Sequence, residues 1–228
     1  MRYYPINLNI HGRHCLVVGG GEVASRKVET LLDCGATVTV VSPVFTGALE
    51  SMREDPNVRL LYRSYEPADL EEKFLVIGAT DDMALNRRIS ADAENRRMLC
   101  NIADVPEACN FILPSVIRQG DFVLTISTSG KSPAFAKHLR RRLAADYGIE
   151  YARFLQLMGA IRKRLLAEEH APEAHKHLFQ RLIENDLVEL IRKDEVGQIN
   201  RVLFEVLGEG FDYNALINES ADSQEEGP

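Results

Sequence analysis

The chain has 228 residues, of which 45% are apolar, and it carries a formal net charge of −7 at pH 7. This length and apolar content predict a globular protein with one large domain or two small ones. The acidic balance argues against a nucleic-acid partner, which needs a basic face, and no apolar run is long enough to span a membrane. The N-terminus lacks the charged-then-apolar order of a signal peptide, so a cytoplasmic location is expected. The four cysteines have no C-x-x-C spacing and are expected to be buried, reduced thiols.

Near the N-terminus, a short apolar run leads directly into a glycine-rich turn and then a helix. Residues 14–24 read His-Cys-Leu-Val-Val-Gly-Gly-Gly-Glu-Val-Ala, which contains a G-x-G-x-x-A pattern. Gly19 suits a tight turn, Gly21 lets an anion approach the backbone, and Ala24 allows helix and strand to pack closely. The N–H groups at the helix start, at Glu22 and Val23, would face that anion. The pattern predicts a dinucleotide phosphate site; the alternative is a turn whose glycines serve packing alone.

A second predicted strand, residues 37–42, completes a βαβ unit after the stop signal at Gly35. Dinucleotide-binding units usually place an acidic residue after this strand, where it accepts hydrogen bonds from the adenosine ribose. Here Ser42, Pro43 and Val44 occupy that place and are the candidate ribose contacts. Because no arginine follows the strand to receive a 2′-phosphate, the sequence favours NAD over NADP.

The alternation of strand and helix patterns continues and predicts an α/β fold with a doubly wound parallel sheet of Rossmann type. The further predicted elements are strands over residues 58–62, 74–79 and 99–102 and a helix over 83–96. Ligands of such sheets bind beyond the carboxyl ends of the strands, so Thr80, Asp81 and Asp104 are candidate site residues. For Thr80 and Asp81, the alternative to cofactor binding is a role as a helix N-terminal signal.

After Asp104 the alternation stops and the pattern changes to short β runs and then to helices. The predicted elements are β runs over residues 110–115 and 121–127 and a helix over 134–147, with helical periodicity from about residue 148. Four regions follow from this reading: a nucleotide-binding domain over 1–109, a β/helical region over 110–147, a helical domain over 148–219, and a disordered acidic tail over 220–228.

Six motifs resemble, in order and spacing, those of the precorrin-2 dehydrogenases, which also form the N-terminal part of siroheme synthases. They are Tyr4-Pro5-Ile6, Val17 to Ala24 followed by Arg26-Lys27, Ala79 to Asp82, Asn101 to Asp104, Asn110 to Ser115, and Ser127 to Pro133. The resemblance covers about residues 4–145 and fades over the C-terminal helices.

The resemblance implies an NAD-dependent oxidation of precorrin-2 to sirohydrochlorin, on the route to siroheme or cobalamin. It implies that Asp104 is the catalytic base that accepts the proton released as hydride leaves. The alternative for Asp104 is an Asx-type turn before Pro106. Because precorrin-2 carries carboxylates around its rim, its site needs cations and hydrogen-bond donors. The expected substrate-binding residues are Asn110, Ser129, Gly130, Lys131 and Ser132, whereas the arginines at 140–142 are expected at a surface or an interface.

The resemblance also implies a homodimer built through the region over 110–147, in which two β runs would gain pairing partners from a second copy. Some members of the family insert Fe²⁺ into sirohydrochlorin as well, and the sequence leaves this second activity open. A non-catalytic NAD-sensing module is the alternative from another class of function. No metal-binding residues are predicted, because His170, His175 and His177 are expected to be exposed on helices. The methyltransferase region of full siroheme synthases is not expected, which would make this chain a stand-alone form.

Overall fold

The computed structural model describes residues 3–167 and 175–225, and the chain divides into two compact units. The first unit comprises Met1–Leu113 with Ser129–Lys131, and the second comprises Pro114–Thr128 with Ser132–Pro228. The division after Leu113 falls four residues beyond the boundary expected at residue 109. The regions expected separately over 110–147 and 148–219 lie mostly together in the second unit.

The first unit contains a five-stranded parallel sheet. Its strands in chain order are β1 (His14–Val18), β2 (Thr37–Val41), β3 (Val58–Leu61), β4 (Leu75–Gly78) and β5 (Leu99–Ile102). Their order in space is β3-β2-β1-β4-β5, and every neighbouring pair is parallel. Because the chain moves outward from β1 in one direction and returns to continue from β4 in the other, the sheet is doubly wound. The prediction of a Rossmann-type fold is confirmed.

Helices cover both faces of this sheet because its strand residues alternate between two buried cores. The helices are α1 (Glu22–Leu32), α2 (Gly47–Ser51) and α3 (Met83–Asn95). On one face, Val17 of β1 packs in a core with Ala24 and Val28 of α1. On the other face, Val18 packs in a core with Ile89 of α3. Burial of each such aliphatic side chain contributes about 1.5–3 kcal/mol, which holds the strand ends in register.

The second unit consists of an antiparallel hairpin followed by helices. The hairpin strands are β6 (Ser115–Gln119) and β7 (Phe122–Ile126), and the helices are α4 (Pro133–Asp146), α5 (Glu150–Ala167), α6 (Lys176–Glu184), α7 (Leu187–Arg192), α8 (Val196–Leu207) and α9 (Tyr213–Glu225). Leu157 and Ile161 of α5 lie fully buried in the helical core with Leu203 of α8 and Leu216 of α9. The predicted helical periodicity after residue 148 is confirmed. Within the described residues, no helix is long and apolar enough to cross a membrane.

The β run expected over residues 110–115 is wrong, because the first hairpin strand begins only at Ser115. Pro114 has no N–H to donate to a neighbouring strand, so the strand starts after it. Asn110 instead makes hydrogen bonds to β5 through both its backbone and its side chain. The expected turn at Gly120 is confirmed, with φ of 56° and β6 and β7 paired on either side.

Two further expectations are corrected. The tail expected to be disordered from Ser220 continues α9 as far as Glu225, because adding residues to an existing helix costs far less than starting one; residues 226–228 lie outside the described part. All four cysteines are free, but Cys34 is exposed where α1 has ended, whereas Cys15 and Cys100 are buried in strands. Burial raises the pKa of the Cys15 thiol to about 11 and that of Cys100 to about 12.

Candidate nucleotide-binding and catalytic site

The turn between β1 and α1 is built from three consecutive glycines with different roles. Gly19 has φ of 129°, and a Cβ there would lie 2.7 Å from the carbonyl carbon of Ala79. A Cβ on Gly20 would lie 2.7 Å from the hydroxyl oxygen of Ser42 and would overlap the carbonyl oxygen of Val44. A Cβ on Gly21 would meet no atom within 4 Å. The first two glycines are therefore required by the protein's own packing, whereas the third leaves open space in front of the helix.

Open backbone donors follow at the start of α1. Gly21 is the N-cap and provides no side chain, and the Ser25 N–H makes the hydrogen bond to the Gly21 carbonyl oxygen at 3.0 Å. The preceding N–H groups, at Glu22, Val23 and Ala24, belong to the first helical turn, whose donors have no partner within the helix. Together with the helix dipole they favour an anion in the space that Gly21 leaves open. Ala24 is fully buried, as expected of a residue that allows close packing.

The residues after β2 form a compact turn in which the Ser42 hydroxyl makes a hydrogen bond within the protein. Ser42 Oγ donates a hydrogen bond to the carbonyl oxygen of Val44 at 2.8 Å. Pro43 and Val44 are exposed, Val44 to 74%. Tyr62, which directly follows β3, meets the ring of Phe45 edge to face at 4.8 Å. An aromatic ring at this edge of the sheet was not expected from the sequence, because Tyr62 is the last residue of the strand predicted over 58–62, whereas β3 ends at Leu61.

The sequence left two roles open for the residues after β4, namely cofactor contact and the start signal of α3, and the structure assigns the second role to one of them. Asp82, rather than Thr80 or Asp81, caps α3 by accepting hydrogen bonds from the N–H groups of Ala84 and Leu85 at 2.8 and 3.0 Å. Thr80 donates its hydroxyl proton to Asn86 Oδ1 at 2.9 Å. Asp81 is exposed beyond the strand end. A cofactor contact by Thr80 or Asp81 stays a prediction.

Asp104 lies two residues after the end of β5, is exposed, and has a left-handed backbone with φ of 61°. Lys27 of α1, which is partly buried, interacts electrostatically with this carboxylate. Burial lowers the pKa of Lys27, Arg26 lowers it further, and Asp104 acts in the opposite direction. Lys27 belongs to one of the family-like motifs but was given no role from the sequence. Its place next to Val28, at the margin of the buried stripe of α1, is a signal that could have drawn attention to it.

Asn110 has a structural role that the sequence did not reveal. Its Oδ1 accepts a hydrogen bond from the Cys100 N–H at 2.8 Å, and its Nδ2 donates to the Met98 carbonyl oxygen at 2.7 Å. The side-chain amide thus pairs with the backbone of β5 as a neighbouring strand would. A substrate contact by Asn110 stays a prediction, and it would have to use the hydrogen-bonding capacity that these two bonds leave.

The segment expected to bind substrate divides between the two units. Ser129–Lys131 belongs with the first unit, and Ser132 with the second. Ser129 and Gly130 both have left-handed backbones, with φ of 53° and 80°, and Lys131 is exposed. Ser132 is the N-cap of α4, because its hydroxyl oxygen accepts a hydrogen bond from the Phe135 N–H at 3.2 Å.

The sheet brings most of the expected nucleotide and catalytic residues to one edge. Parallel strands end on the same side, so the order β2-β1-β4-β5 places Ser42–Val44, Gly19–Ala24, Thr80–Asp81 and Asp104 side by side. Within the described residues, no group of three or more His, Cys, Asp or Glu side chains is arranged to hold a metal ion. His177 is exposed as expected, but His175 is buried, and His170 lies outside the described residues.

Comparisons with known proteins agree with this arrangement. The family described as putative NAD(P)-binding matches residues 6–115, and the family described as sirohaem biosynthesis protein, central, matches residues 124–145. The siroheme synthase of Sodalis glossinidius (strain morsitans) is 35% identical over 217 residues, which are 95% of this chain and 46% of that protein. The siroheme synthase of Nitrosospira multiformis is 37% identical over 195 residues, which are 84% of this chain and 41% of that protein. Among solved structures, SirC, a precorrin-2 dehydrogenase, matches with a TM-score of 0.71 and 25% identity over 87% of this chain and 100% of its own.

The parallel sheet, the glycine turn and the first family match define an NAD(P)-binding protein of the Rossmann type. The chain spans about half the length of the curated relatives it matches. Over most of its length it is similar to the N-terminal regions of siroheme synthases and to a precorrin-2 dehydrogenase of known structure.

Proposed function

We propose that this chain binds NAD⁺ at the glycine turn and oxidises precorrin-2 to sirohydrochlorin, a step of siroheme or cobalamin biosynthesis. The observation that carries the proposal is the match to SirC over the whole length of that precorrin-2 dehydrogenase. The location of Asp104 at the sheet edge that bears the glycine turn supports it. When bound, NAD⁺ supplies the acceptor for the hydride that leaves the substrate.

The residues present fit such a cofactor. A pyrophosphate would approach the backbone in the open space in front of Gly21, and the first N–H groups of α1, at Glu22 and Val23, would donate hydrogen bonds to it. Ser42 to Val44 would line the ribose, and Thr80 and Asp81 would lie beside the cofactor at the next strand end. Because no acidic residue directly follows β2, selection between NAD⁺ and NADP⁺ would depend on backbone groups and on the Ser42 hydroxyl.

Asp104 would accept the proton that the substrate releases when hydride departs. Its carboxylate is exposed and can therefore reach a bound substrate. The partly buried Lys27 of α1 interacts electrostatically with this carboxylate, so a positive charge lies on the same side of the sheet as the proposed base.

The turn at Ser129–Lys131 would provide donors to the carboxylates of the tetrapyrrole. The backbone N–H groups of this left-handed turn would donate to the substrate, and the exposed Lys131 would add a positive charge. Ser132 and Asn110 would contribute only through the bonding capacity that their structural hydrogen bonds leave free.

We propose that the chain acts as a homodimer in the cytoplasm. The hairpin of β6 and β7 forms a two-stranded sheet, and Val116 and Val123 on it are 42% and 48% exposed. A two-stranded sheet gains stability from further pairing, which a second copy would supply. Four free cysteines suit a reducing compartment.

The decisive experiment incubates the protein with precorrin-2 and NAD⁺ or NADP⁺ and follows formation of the reduced cofactor. The matched variant is Asp104→Asn, because asparagine tolerates the left-handed backbone of this position and removes only the charge. We expect NAD⁺ binding within about twofold of wild type and turnover lower by at least about 100-fold. Turnover equal to wild type would exclude Asp104 as the base, and no turnover in either protein would favour a sensing module. Addition of Fe²⁺ to sirohydrochlorin in a parallel sample tests the second activity.

A further inference from the structure

The turn that carries Asp104 is held weakly by its own backbone. Asp104 has φ of 61°, a conformation that residues other than glycine seldom adopt. The backbone hydrogen bond that closes the turn, from the Val105 N–H to the Ile102 carbonyl oxygen, is long at 3.4 Å. The Ala103 N–H, directly before Asp104, donates to the Gly78 carbonyl oxygen at 2.8 Å and fixes the start of the turn. A base must stay in register with the proton it removes, so a further group has to hold the part of the turn after Asp104.

The Cys109 thiol contacts both ends of the same turn. Its sulfur accepts a hydrogen bond from the Ile102 N–H at 3.1 Å. It also lies 3.3 Å from the carbonyl oxygen of Ile102 and 3.2 Å from that of Val105, so its single proton can be donated to either oxygen. The Asn101 side chain donates a further, longer contact to the sulfur at 3.7 Å.

Cys109 is itself anchored on both sides along the chain. The carbonyl oxygen of the preceding residue, Ala108, accepts a hydrogen bond from Ser90 Oγ of α3 at 2.9 Å. The following residue, Asn110, makes hydrogen bonds to the backbone of β5 through both its main chain and its side chain. Because hydrogen bonds hold both neighbours of Cys109, its thiol has a fixed position beside the turn that carries Asp104.

We infer that Cys109 is a positioning residue for Asp104, whose thiol ties Ile102 to Val105 and so holds the carboxylate in its left-handed turn. The role of Asp104 in this inference rests on the proposed function. Cys109 does not touch substrate in this account; it acts through the backbone that carries the base.

The protonation state of the thiol suits this role. Burial raises the pKa of Cys109, the Ile102 N–H opposes that rise, and Glu107 adds to it. At neutral pH the group therefore keeps its proton and can donate as well as accept. An alanine at this position would provide neither bond, whereas a serine hydroxyl would provide both.

The test compares Cys109→Ala and Cys109→Ser with the wild type, and Cys34→Ala, which alters an exposed free cysteine, is the control. Turnover of precorrin-2 is measured together with hydrogen exchange of the Ile102 amide. For Cys109→Ala we expect kcat to fall about tenfold, KM for NAD⁺ to change less than about twofold, and Ile102 exchange to become about tenfold faster. Cys109→Ser should recover at least about half of kcat and of the exchange protection, and Cys34→Ala should match wild type.

Three outcomes would overturn the inference. If Cys109→Ala has the kcat of the wild type and the same hydrogen exchange at the Ile102 amide, the thiol does not stabilise the turn. Equal losses in the alanine and serine variants would assign the effect to packing instead of hydrogen bonding. If the wild type fails to oxidise precorrin-2, the proposed function fails, and hydrogen exchange of the Ile102 amide tests the role of the thiol separately. Unchanged exchange in Cys109→Ala would then overturn the inference that Cys109 holds the turn. Faster exchange would support it.

Discussion

Replacement of Gly21 by alanine should weaken cofactor binding and leave the stability of the fold almost unchanged. Gly21 has φ of −91° and ψ of −176°, an extended backbone that alanine adopts without strain. An added methyl group meets no protein atom within 4 Å, so it would enter only the open space in front of α1. If that space receives the pyrophosphate, the methyl group would obstruct the ligand and leave the protein intact.

The expected magnitudes follow from this geometry. Loss of one charge-assisted hydrogen bond to the pyrophosphate costs about 2 kcal/mol, which raises the Kd for NAD⁺ about 30-fold. Alanine is a poorer N-cap than glycine, but it reduces the conformational freedom of the unfolded chain, and the two effects oppose each other. The net change in the free energy of unfolding should stay within about 1 kcal/mol, so Tm should shift by less than about 3 °C.

Gly20→Ala is the matched control, because its methyl group would meet the protein instead. The new Cβ would lie 2.7 Å from Ser42 Oγ and would overlap the Val44 carbonyl oxygen. Because that oxygen belongs to the backbone, it cannot easily move away. We expect destabilisation by about 3 kcal/mol and a Tm lower by about 9 °C. Calorimetric titration with NAD⁺ and thermal unfolding of both variants provide the measurements. Wild-type affinity in Gly21→Ala would refute the placement of the pyrophosphate, and an equal loss of Tm in both variants would refute the packing argument.

Two further predictions concern the second unit and the assembly. Glu150→Gln removes the carboxylate that pairs with Arg192 at 2.8 Å. Burial by itself would raise the pKa of Glu150, but hydrogen bonds from its own N–H, from Arg192 and from Gly148 outweigh burial and lower it from 4.5. The wild type should therefore unfold about 3 °C above the variant near neutral pH and lose this advantage as the pH falls below about 4.5; an equal difference near pH 3 would contradict the assignment. In sedimentation at micromolar concentration, we expect twice the 25.6 kDa of one chain, and a monomeric mass would count against the dimer.

The local part of the site was predictable because each element carries its own signal. The glycine turn, the strand ends that bear Ser42 and Thr80, and the position of Asp104 after β5 all follow from patterns within a few residues. What sequence reasoning missed depends on side chains that make hydrogen bonds to backbone several residues away. Asn110 makes a hydrogen bond to Cys100, ten positions earlier. Residues 110–115 have the composition of a strand, but they contact β5 through Asn110, and the hairpin strand begins only at Ser115.

The amino-acid sequence by itself determined most of the elements, apart from the strand expected over 110–115, and the chemistry available at their ends. Periodicity, helix start signals and glycine positions act through near neighbours, so they are legible without a fold. Only the tertiary structure decided which strand ends lie side by side, that Gly20 packs against Ser42, and that Cys109 reaches Ile102. These contacts depend on the burial of two opposite faces of one sheet, which couples residues far apart in the chain and leaves no periodic signal in the sequence.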